Sequence, residues 1–548
     1  MRFRPTLLTA ALAASAASAQ APEPIDTSAV SFLQAETGGD RGQVMNTARL
    51  LTELHGARLT GSPQLERAQR WAVETFSGWG IAAEREAWGE FGRGWTLEES
   101  MMMAYADGPN AAATAFPVNA WPKAWSPPVE GSRAELVRVD IQSEADFARY
   151  RGQLRGRVVM LAPTEPIGLG FESLASRRDA DDLLELANRP LPQPPQPQAA
   201  PRGPSPEALA RLQLTQRRLA FIVGERPLAI IEPSTTDGGS LRVMGASVPQ
   251  REGTAPQSAV RPWHRGAETV AQFVVMPEHY NRLLRLLEGG QRVRVDLNLD
   301  AAFHDGDPTE HNVIAEIPGT DPVLGREVVI IGAHLDSWHS GTGATDNAAG
   351  SSVVMEAARA LRAFYQQRGQ GPRRTIRFAL WSGEEQGLFG SVGYVNRRYA
   401  TSPGFGQPPT AIGPEHDRLS AYYNLDNGTG RIRGVYAQGN AAAAGIFRQW
   451  LLALNDSTAQ TVSFANTGST DHAAFDAVGL PGFQFIQDPI AYFGQTWHTS
   501  LDTYDHLSEP DLEQAAAVMA VFAHHTAERD ERLPRKPLPP TLQALGTN

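Results

Sequence analysis

Short apolar runs and helical repeats alternate along the second half of the chain. From about residue 310, apolar runs predict strands at 327–333, 375–381, 419–425, 434–437, 461–464 and 482–486. Amphipathic patterns between and after them predict helices over 347–364, 386–398 and 510–529. Apolar strands that alternate with helices are typical of parallel sheets covered on both faces. The sequence therefore predicts an α/β fold in which helices sandwich a mostly parallel mixed sheet.

The first half of the chain has a different pattern. Apolar residues at helical spacing predict two helices between residues 43 and 82, joined by a turn over 58–63. Ser62 is predicted to cap the second helix, with Pro63 at its first position. Short β-rich runs between 116 and 300 indicate an inserted domain. Within it, the Pro- and Gln-rich segment 189–206 is predicted to be a solvated loop.

These patterns divide a chain of 548 residues, which is too long for one compact core. A loose leader over 20–40 follows the processed amino terminus. The predicted units are a signal peptide (1–19), the amino-terminal part of the main α/β domain (41–115), a β-rich insert (116–300), the rest of the main domain (301–533) and a Pro-rich tail (534–548).

Residues 1–19 have the pattern of a secretory signal peptide. Arg2 and Arg4 precede an apolar run, and Ala-Ser-Ala at 17–19 is a small-residue cleavage site before Gln20. No other stretch reaches the roughly 18 apolar residues that a membrane helix needs. We therefore expect a periplasmic or secreted protein without a membrane span once the signal is removed.

Charge and cysteine content narrow the possible chemistry. The chain has 49 Lys and Arg against 60 Asp and Glu, a net charge of −11, whereas nucleic-acid binding needs a basic surface. It has no cysteine, which excludes thiolate metal sites and cysteine nucleophiles. Any metal ion must therefore be held by imidazole and carboxylate groups.

Such groups recur where the predicted strands end. In open α/β sheets, binding sites form beyond the carboxyl ends of the strands, so residues distant in sequence can meet there. Imidazole and carboxylate together suit zinc, although cobalt or manganese would accept the same ligands. The candidate metal ligands are His334, Asp346, Glu385, Asp426 and His498.

The chemistry of a two-zinc site suggests a role for each ligand. Asp346 is the candidate bridge between the ions, since a shared carboxylate sets their spacing. His334 and Asp426 would complete one site, and Glu385 and His498 the other. Each ion would then keep one position open.

Three further carboxylates have predicted supporting roles. Glu384 cannot easily share a metal with its neighbour, and we predict that it is the general base that activates a metal-bridging water. Asp336 is predicted to hydrogen-bond the imidazole nitrogen of His334 that faces away from the metal. Asp502 is predicted to order the loop that carries His498.

Five segments resemble the co-catalytic zinc exopeptidase family, which includes leucyl-type aminopeptidases and plasma glutamate carboxypeptidase. The resemblance implies the same metal roles, marks Asp336 and Glu384 as the catalytic pair, and likens the insert to a protease-associated domain. The matching segments are Ala-His-Leu-Asp-Ser at 333–337, Thr-Asp-Asn-Ala-Ala-Gly at 345–350, Trp-Ser-Gly-Glu-Glu-Gln-Gly at 381–387, Asn-Leu-Asp at 424–426 and Trp-His-Thr-Ser-Leu-Asp-Thr at 497–503.

One position departs from the family pattern. Many relatives have a tyrosine immediately before the last histidine ligand, where its hydroxyl can stabilise an oxyanion, but this chain has Trp497. The indole N–H of Trp497, the hydroxyl of Tyr492 or the metal ions themselves are the alternatives. His472, in Ser-Thr-Asp-His at 469–472, is a further candidate for lining the pocket.

The sequence favours a zinc exopeptidase that binds peptide substrates, with aminopeptidase action first because free amino termini are the commonest target in the resembled family. A carboxypeptidase or dipeptidase is the main alternative, with Arg431 and Arg433 as candidates to hold a terminal carboxylate. Glutaminyl cyclisation, which would need one zinc, and a non-catalytic binding ectodomain are the others. Side-chain preference and oligomeric state stay open.

Overall fold

The computed structural model describes residues 23–108, 111–161, 166–171, 173–192, 205–236, 238–251, 253–254, 258–402 and 409–538. The predicted signal peptide, most of the Pro-rich segment 189–206 and the end of the predicted tail lie outside these residues. Within the described ranges, no helix combines the length and the apolar character needed to cross a lipid bilayer.

Twelve α-helices occur in the described part of the chain. They are α1 Thr27–Thr37, α2 Val44–Arg49, α3 Pro63–Gly78, α4 Phe147–Tyr150, α5 Ala180–Ala187, α6 Pro206–Gly224, α7 Pro277–Glu288, α8 Ala349–Arg368, α9 Phe389–Arg398, α10 Ala441–Ala453, α11 His472–Asp476 and α12 Glu509–Glu528. Single π-helical turns cover Leu50–Leu54 and Tyr492–Thr496, and the backbone between Ala344 and Ala348 is kinked at Asp346 and Asn347, which have non-helical dihedral angles.

The strands of the described residues form two large sheets and one short pair. They are β1 Ala82–Glu90, β2 Gly94–Gly108, β3 Ala111–Pro117, β4 Ala120–Pro122, β5 Val129–Arg138, β6 Val158–Met160, β7 Ala229–Pro233, β8 Ala271–Val275, β9 Arg292–His304, β10 Thr309–Ile317, β11 Val328–His334, β12 Thr375–Trp381, β13 Ala400–Thr401, β14 Ala411–Ile412, β15 Leu419–Asn424, β16 Ile432–Tyr436, β17 Thr461–Ser463 and β18 Gly482–Gln487.

Sheet 1 has the strand order β1-β10-β12-β11-β15-β18-β16-β17. Its centre, β12-β11-β15-β18, is parallel, while β10 pairs antiparallel with both of its neighbours and β16 pairs antiparallel with β18. Every residue of β11 and β12 is buried, as expected for strands covered on both faces. The predicted strand at 375–381 coincides with β12. The prediction of an α/β mixed sheet is confirmed.

Helices cover both faces of sheet 1 because its strands are apolar on both sides. On one face, Val329 of β11 belongs to the same buried cluster as Val353 of α8 and Met519 of α12. On the other face, Ile330 lies in a cluster with Phe475 of α11. Beyond the carboxyl end of β11, Trp338 packs in the buried cluster that contains Val295 of β9 in the second sheet.

Sheet 2 is built almost wholly from the first half of the chain, in the order β3-β2-β9-β5-β6-β7-β8-β4. It begins at Gly94, earlier than the predicted boundary at residue 116, because β2 pairs with β9 from Gly94–His304 to Asp107–Arg292. Helices α4, α5, α6 and α7 lie within the region 116–300, for which only β-rich structure was predicted. Its relation to a protease-associated domain stays a prediction.

The two ends of the described chain are better packed than the sequence suggests. Within the predicted leader 20–40, helix α1 buries Ala29 and Leu33 in the core of sheet 1. At the start of the predicted tail, the Arg535 guanidinium donates to the carbonyls of His416 (2.8 Å) and Leu419 (2.7 Å). The turn before α3 is as predicted, since Ser62 Oγ accepts the Leu65 N–H at 3.2 Å.

Candidate metal centre

The parallel register of sheet 1 brings the candidate ligands together. His334, the last residue of β11, lies opposite Trp381 at the end of β12, so Glu384 and Glu385 follow immediately beyond the neighbouring strand. On the other side, β15 ends at Asn424, and Asp426 is two residues further on. Neighbouring parallel strands therefore deliver their side chains to one edge of the sheet, as predicted.

Asp346 lies between the two imidazoles. One of its carboxylate oxygens, Oδ1, is 3.2 Å from His334 Nε2, and the other, Oδ2, is 3.4 Å from His498 Nε2. Each oxygen thus faces a different histidine. This is the arrangement expected of a carboxylate that bridges two cations.

The remaining candidate ligands complete the two halves. Asp426 Oδ1 is 3.2 Å from His334 Nε2, and Glu385 Oε2 is 2.9 Å from His498 Nε2. The site is almost closed to solvent, with His334 fully buried and Asp346 only 4% exposed. All five candidate ligands therefore lie close together, with Asp426 beside His334 and Glu385 beside His498.

The donor set fits divalent metal ions. Potential ligand atoms of His334, Glu384 and Asp426 lie within 4.8 Å of one another, and so do those of His334, Asp346 and Glu385. Asp346 Oδ2 and Glu385 Oε1 are buried without a hydrogen bond. Buried carboxylate oxygens without donors are costly unless a cation satisfies them. Imidazole and carboxylate oxygens are ligands that zinc accepts.

The electrostatics of the site point the same way. Burial and the neighbouring acidic groups raise the pKa of Glu384 and of Glu385 well above the ordinary range. Burial lowers the pKa of His498, which favours the neutral imidazole that binds metals. For His334, burial is outweighed by the charges of Asp426 and Glu384, which raise its pKa. Bound cations at the centre would hold the carboxylates of Glu384, Glu385 and Asp426 in their ionised form.

Asp336 has a different set of partners from those predicted. Its carboxylate accepts the backbone N–H groups of Glu384 and Glu385, both at 3.3 Å, and the Thr60 hydroxyl at 3.0 Å. The Nδ1 atom of His334 is instead 2.9 Å from the backbone carbonyl of Asp336 and 3.7 Å from its carboxylate. The carbonyl therefore orients the imidazole, while the carboxylate holds the turn that carries Glu384.

Asp502 joins the loop of His498 to the segment of Asp346. Its carboxylate accepts the Thr345 N–H at 2.5 Å, the Thr345 hydroxyl at 2.8 Å and the Asp346 N–H at 3.2 Å. Burial raises the pKa of Asp502 to about 7. These hydrogen bonds hold the backbone of Asp346 beside the loop that contains both Asp502 and His498, and the role of Asp502 in ordering that loop stays a prediction.

The sequence around these residues is similar to that of known proteins. Residues 312–523, which include all five candidate ligands, match the model of peptidase family M28. Residues 312–523 belong to peptidase family M28. The chain is 28% identical over 281 residues to carboxypeptidase Q of Mus musculus, an alignment that covers 51% of this chain and 55% of the mouse protein. The chain thus spans about half the length of the curated relatives it matches.

Solved peptidase structures share the fold. The crystal structure of a peptidase M28 precursor from Shewanella amazonensis superposes with a TM-score of 0.61 at 21% identity, covering 94% of this chain and 99% of that one. BSAP, a zinc aminopeptidase from Bacillus subtilis, superposes with a TM-score of 0.53 at 16% identity, covering 89% of this chain and 95% of that one. Both likenesses extend beyond the M28 match and include the first half of the chain.

A buried arginine that sequence reasoning did not single out holds the M28 centre in place. The Arg58 side chain is fully buried, and its guanidinium donates only to backbone carbonyls. The accepting residues are Leu335 (2.7 Å), Leu51 (3.2 Å), Gly56 (3.0 Å), Thr342 (2.9 Å) and Gly343 (2.8 Å). Residues 335–343 connect His334 to the segment of Asp346. Arg58 therefore fixes the loop between two metal ligands, and burial lowers its pKa to about 10.

Replacing Arg58 by methionine is expected to destabilise the protein by about 3 kcal/mol or more. The substitution keeps most of the side-chain volume but leaves five carbonyls without their donor, and hydrogen bonds to charged groups contribute about 1.5–3 kcal/mol each. Urea unfolding measures the change. Arg70→Met on the exposed face of α3 is the control, since it removes only a surface pair with Glu66. Equal effects of the two substitutions would contradict this role of Arg58.

A cavity of about 520 Å³ opens onto the metal centre. Tyr492 and Trp497 line it, as predicted. His472 does not: it is fully buried, with Nε2 3.0 Å from the Thr467 carbonyl, and lies behind the wall. The described residues that line this cavity of about 520 Å³ include no Lys or Arg. They include four carboxylates, those of Asp346, Glu384, Glu385 and Asp426. A larger cavity, of about 720 Å³, lies beside residues 53–64 and contains no candidate ligand.

The insert supports the loop of His498. The Val243 N–H donates to the His498 carbonyl at 2.9 Å, and the Ser500 N–H donates to the Leu241 carbonyl at 3.0 Å. The His498 backbone has a φ of 59°, in the left-handed region that a non-glycine residue seldom adopts. These contacts between the insert and the loop therefore hold His498, a candidate ligand, in a backbone conformation that a non-glycine residue disfavours.

Trp497 is occupied by a stacking contact. Its ring centroid is 3.9 Å from that of the His498 imidazole, and the Arg242 guanidinium lies 4.9 Å from the centroid of the indole on which it packs. The indole at this position thus orients the adjacent ligand. Arg431 and Arg433 bind Asp456 (3.0 Å) and Asp488 (2.7 Å) respectively, and neither lines the cavity.

Proposed function

We propose that the protein is a zinc exopeptidase that removes residues from the amino terminus of peptides. The observation that carries this direction is that no Lys or Arg is among the described residues that line the cavity of about 520 Å³. The two proposed metal ions would offset the charge of its four carboxylates, so an ammonium group meets no like-charged Lys or Arg there, whereas a terminal carboxylate finds no cationic side chain with which to pair.

Two zinc ions are proposed for the centre. His334 and Asp426 would hold one and Glu385 and His498 the other, with Asp346 shared between them. When bound, such ions polarise a scissile carbonyl and lower the pKa of water. Support comes from the two carboxylate oxygens of Asp346, each of which faces a different imidazole.

Glu384 is proposed as the general base. Its carboxylate lines the cavity next to the ligands, and Asp336 fixes its backbone through the hydrogen bond to its N–H. In this role it takes a proton from the attacking water and later delivers it to the leaving amine. The hydroxyl of Tyr492, which also lines the cavity, is the proposed donor to the tetrahedral oxygen.

A tripeptide blocked at one end or the other tests the direction of cleavage. With zinc-loaded protein, Leu-Ala-Ala amide is expected to be cleaved between its first two residues, while N-acetyl-Leu-Ala-Ala is expected to resist. Chromatography of the products identifies the released residue. The reverse pattern would show a carboxypeptidase, and no cleavage of either peptide or of free Leu-Ala-Ala would favour a binding protein on the same scaffold.

Carboxypeptidase action is the second candidate, because several relatives are named carboxypeptidase Q. The engagement of Arg431 and Arg433 by aspartates elsewhere removes the two cations suggested for holding a carboxylate. Export to the periplasm or medium is also proposed, on the pattern of residues 1–19. Amino-terminal sequencing of the exported protein should then begin at Gln20.

A further inference from the structure

A second cavity, of about 480 Å³, meets the first one at the metal centre. Glu385 and Gln386 belong to the walls of both cavities, so the two cavities adjoin at these residues. Residues of the insert form most of the wall of the second cavity. Its apolar lining includes Leu219, Met244, Val260 and Trp263 from the insert and Trp338 from the loop after β11.

Polar groups without partners mark the junction of the two cavities. Both the Nε2 and the Oε1 atoms of Gln386 are buried and make no hydrogen bond, and the same holds for Trp338 Nε1. A buried amide or indole N–H without a partner costs free energy. Backbone N–H and C=O groups of a peptide passing through the junction would satisfy them.

The two cavities differ in their basic side chains. No Lys or Arg is among the described residues that line the first, whereas Arg261 lines the second, at which Glu385 is the acidic residue. Arg261 is exposed, and no described carboxylate lies within 4 Å of its guanidinium. A peptide with its ammonium group in the first cavity would therefore extend its carboxyl end toward Arg261.

We propose that the second cavity is the subsite for the part of the peptide that leaves, and that it selects an apolar side chain immediately after the cleaved bond. This inference rests on the proposed aminopeptidase function. Gln386 and Trp338 would bind the peptide backbone, and Met244 and Val260 would contact the side chain. The insert is then a specificity element, in addition to its support of the His498 loop.

Met244→Glu tests the apolar wall. Met244 is 44% exposed, so a glutamate there is compatible with the fold. With wild-type protein, kcat/KM for Leu-Leu-Gly is expected to exceed that for Leu-Glu-Gly by about tenfold or more, the scale of selectivity that apolar pockets provide. The substitution should reduce kcat/KM for Leu-Leu-Gly by about tenfold and improve the relative rate with Leu-Lys-Gly. Val260 is 40% exposed, and Val260→Glu provides an independent second variant.

Leu212→Glu is the matched control. Leu212 is an exposed apolar residue of the insert, 52% accessible, and does not line the cavity. Leu212→Glu should leave the ratios of kcat/KM among Leu-Leu-Gly, Leu-Glu-Gly and Leu-Lys-Gly unchanged. The preference for the first residue, measured with Leu-Leu-Gly against Gly-Leu-Gly, should also stay constant in every variant because the first cavity is not altered.

The outcomes separate the two proposals. If wild-type protein does not remove amino-terminal residues, the proposed function fails. If it does so with no preference at the second residue, or if Met244→Glu and Val260→Glu change every substrate equally, the function stands and the subsite inference is overturned.

Discussion

Glu384→Gln is expected to remove nearly all peptide turnover while the metal content stays at the wild-type level. The amide has the size of the carboxylate but cannot accept a proton from the attacking water. General acid–base groups contribute about 10²–10⁴-fold to rate, and this one serves both proton transfers, so we expect a loss of about 10³-fold or more in kcat. Steady-state kinetics and elemental analysis of the same preparation measure the two quantities.

Glu84→Gln is the control for this substitution, because Glu84 is exposed on β1 and distant from the cleft. It should leave kcat and metal content unchanged. Substantial residual activity in Glu384→Gln would exclude Glu384 as the base. Loss of metal along with activity would instead indicate that Glu384 is a ligand, as its closeness to His334 and Asp426 permits.

Asp346→Ala is expected to abolish metal binding at both positions. Its two oxygens face different imidazoles, so the substitution removes a ligand from each half of the centre. Metal content should fall from two ions per chain to nearly none, and activity should fall with it. Because ligands that bind only the folded state stabilise it, the zinc-dependent rise in melting temperature should also disappear.

His498→Ala is the matched comparison, because His498 is assigned to one half alone and should cost one ion. In metal-free protein, Asp346→Ala should melt no lower than wild type, since it removes a buried carboxylate oxygen that lacks a hydrogen bond. An intact count of two ions in Asp346→Ala would contradict the bridging role. A large loss of stability in the metal-free state would show that Asp346 mainly supports the fold.

Much of the main domain could be predicted from local patterns. The strand at 375–381 was predicted to the residue, because parallel strands covered on both faces are apolar throughout. The positions of His334, Glu385 and Asp426 beyond strand ends predicted their convergence without coordinates. Helices α4, α5, α6 and α7 were missed because short apolar runs led the whole region to be interpreted as β-rich, although Tyr280, Leu283 and Leu284 of α7 lie at helical spacing and are buried.

The sequence by itself determined the α/β class, the candidate metal ligands and the edge of the sheet at which these residues meet. Only the tertiary structure decided that Arg58 holds the loop between two ligands, that the Asp336 carboxylate holds the turn of Glu384, and that the insert supports His498. The reason is physical. Periodicity and strand ends are local properties of the chain, whereas a hydrogen bond between residues far apart in sequence depends on how separate elements pack.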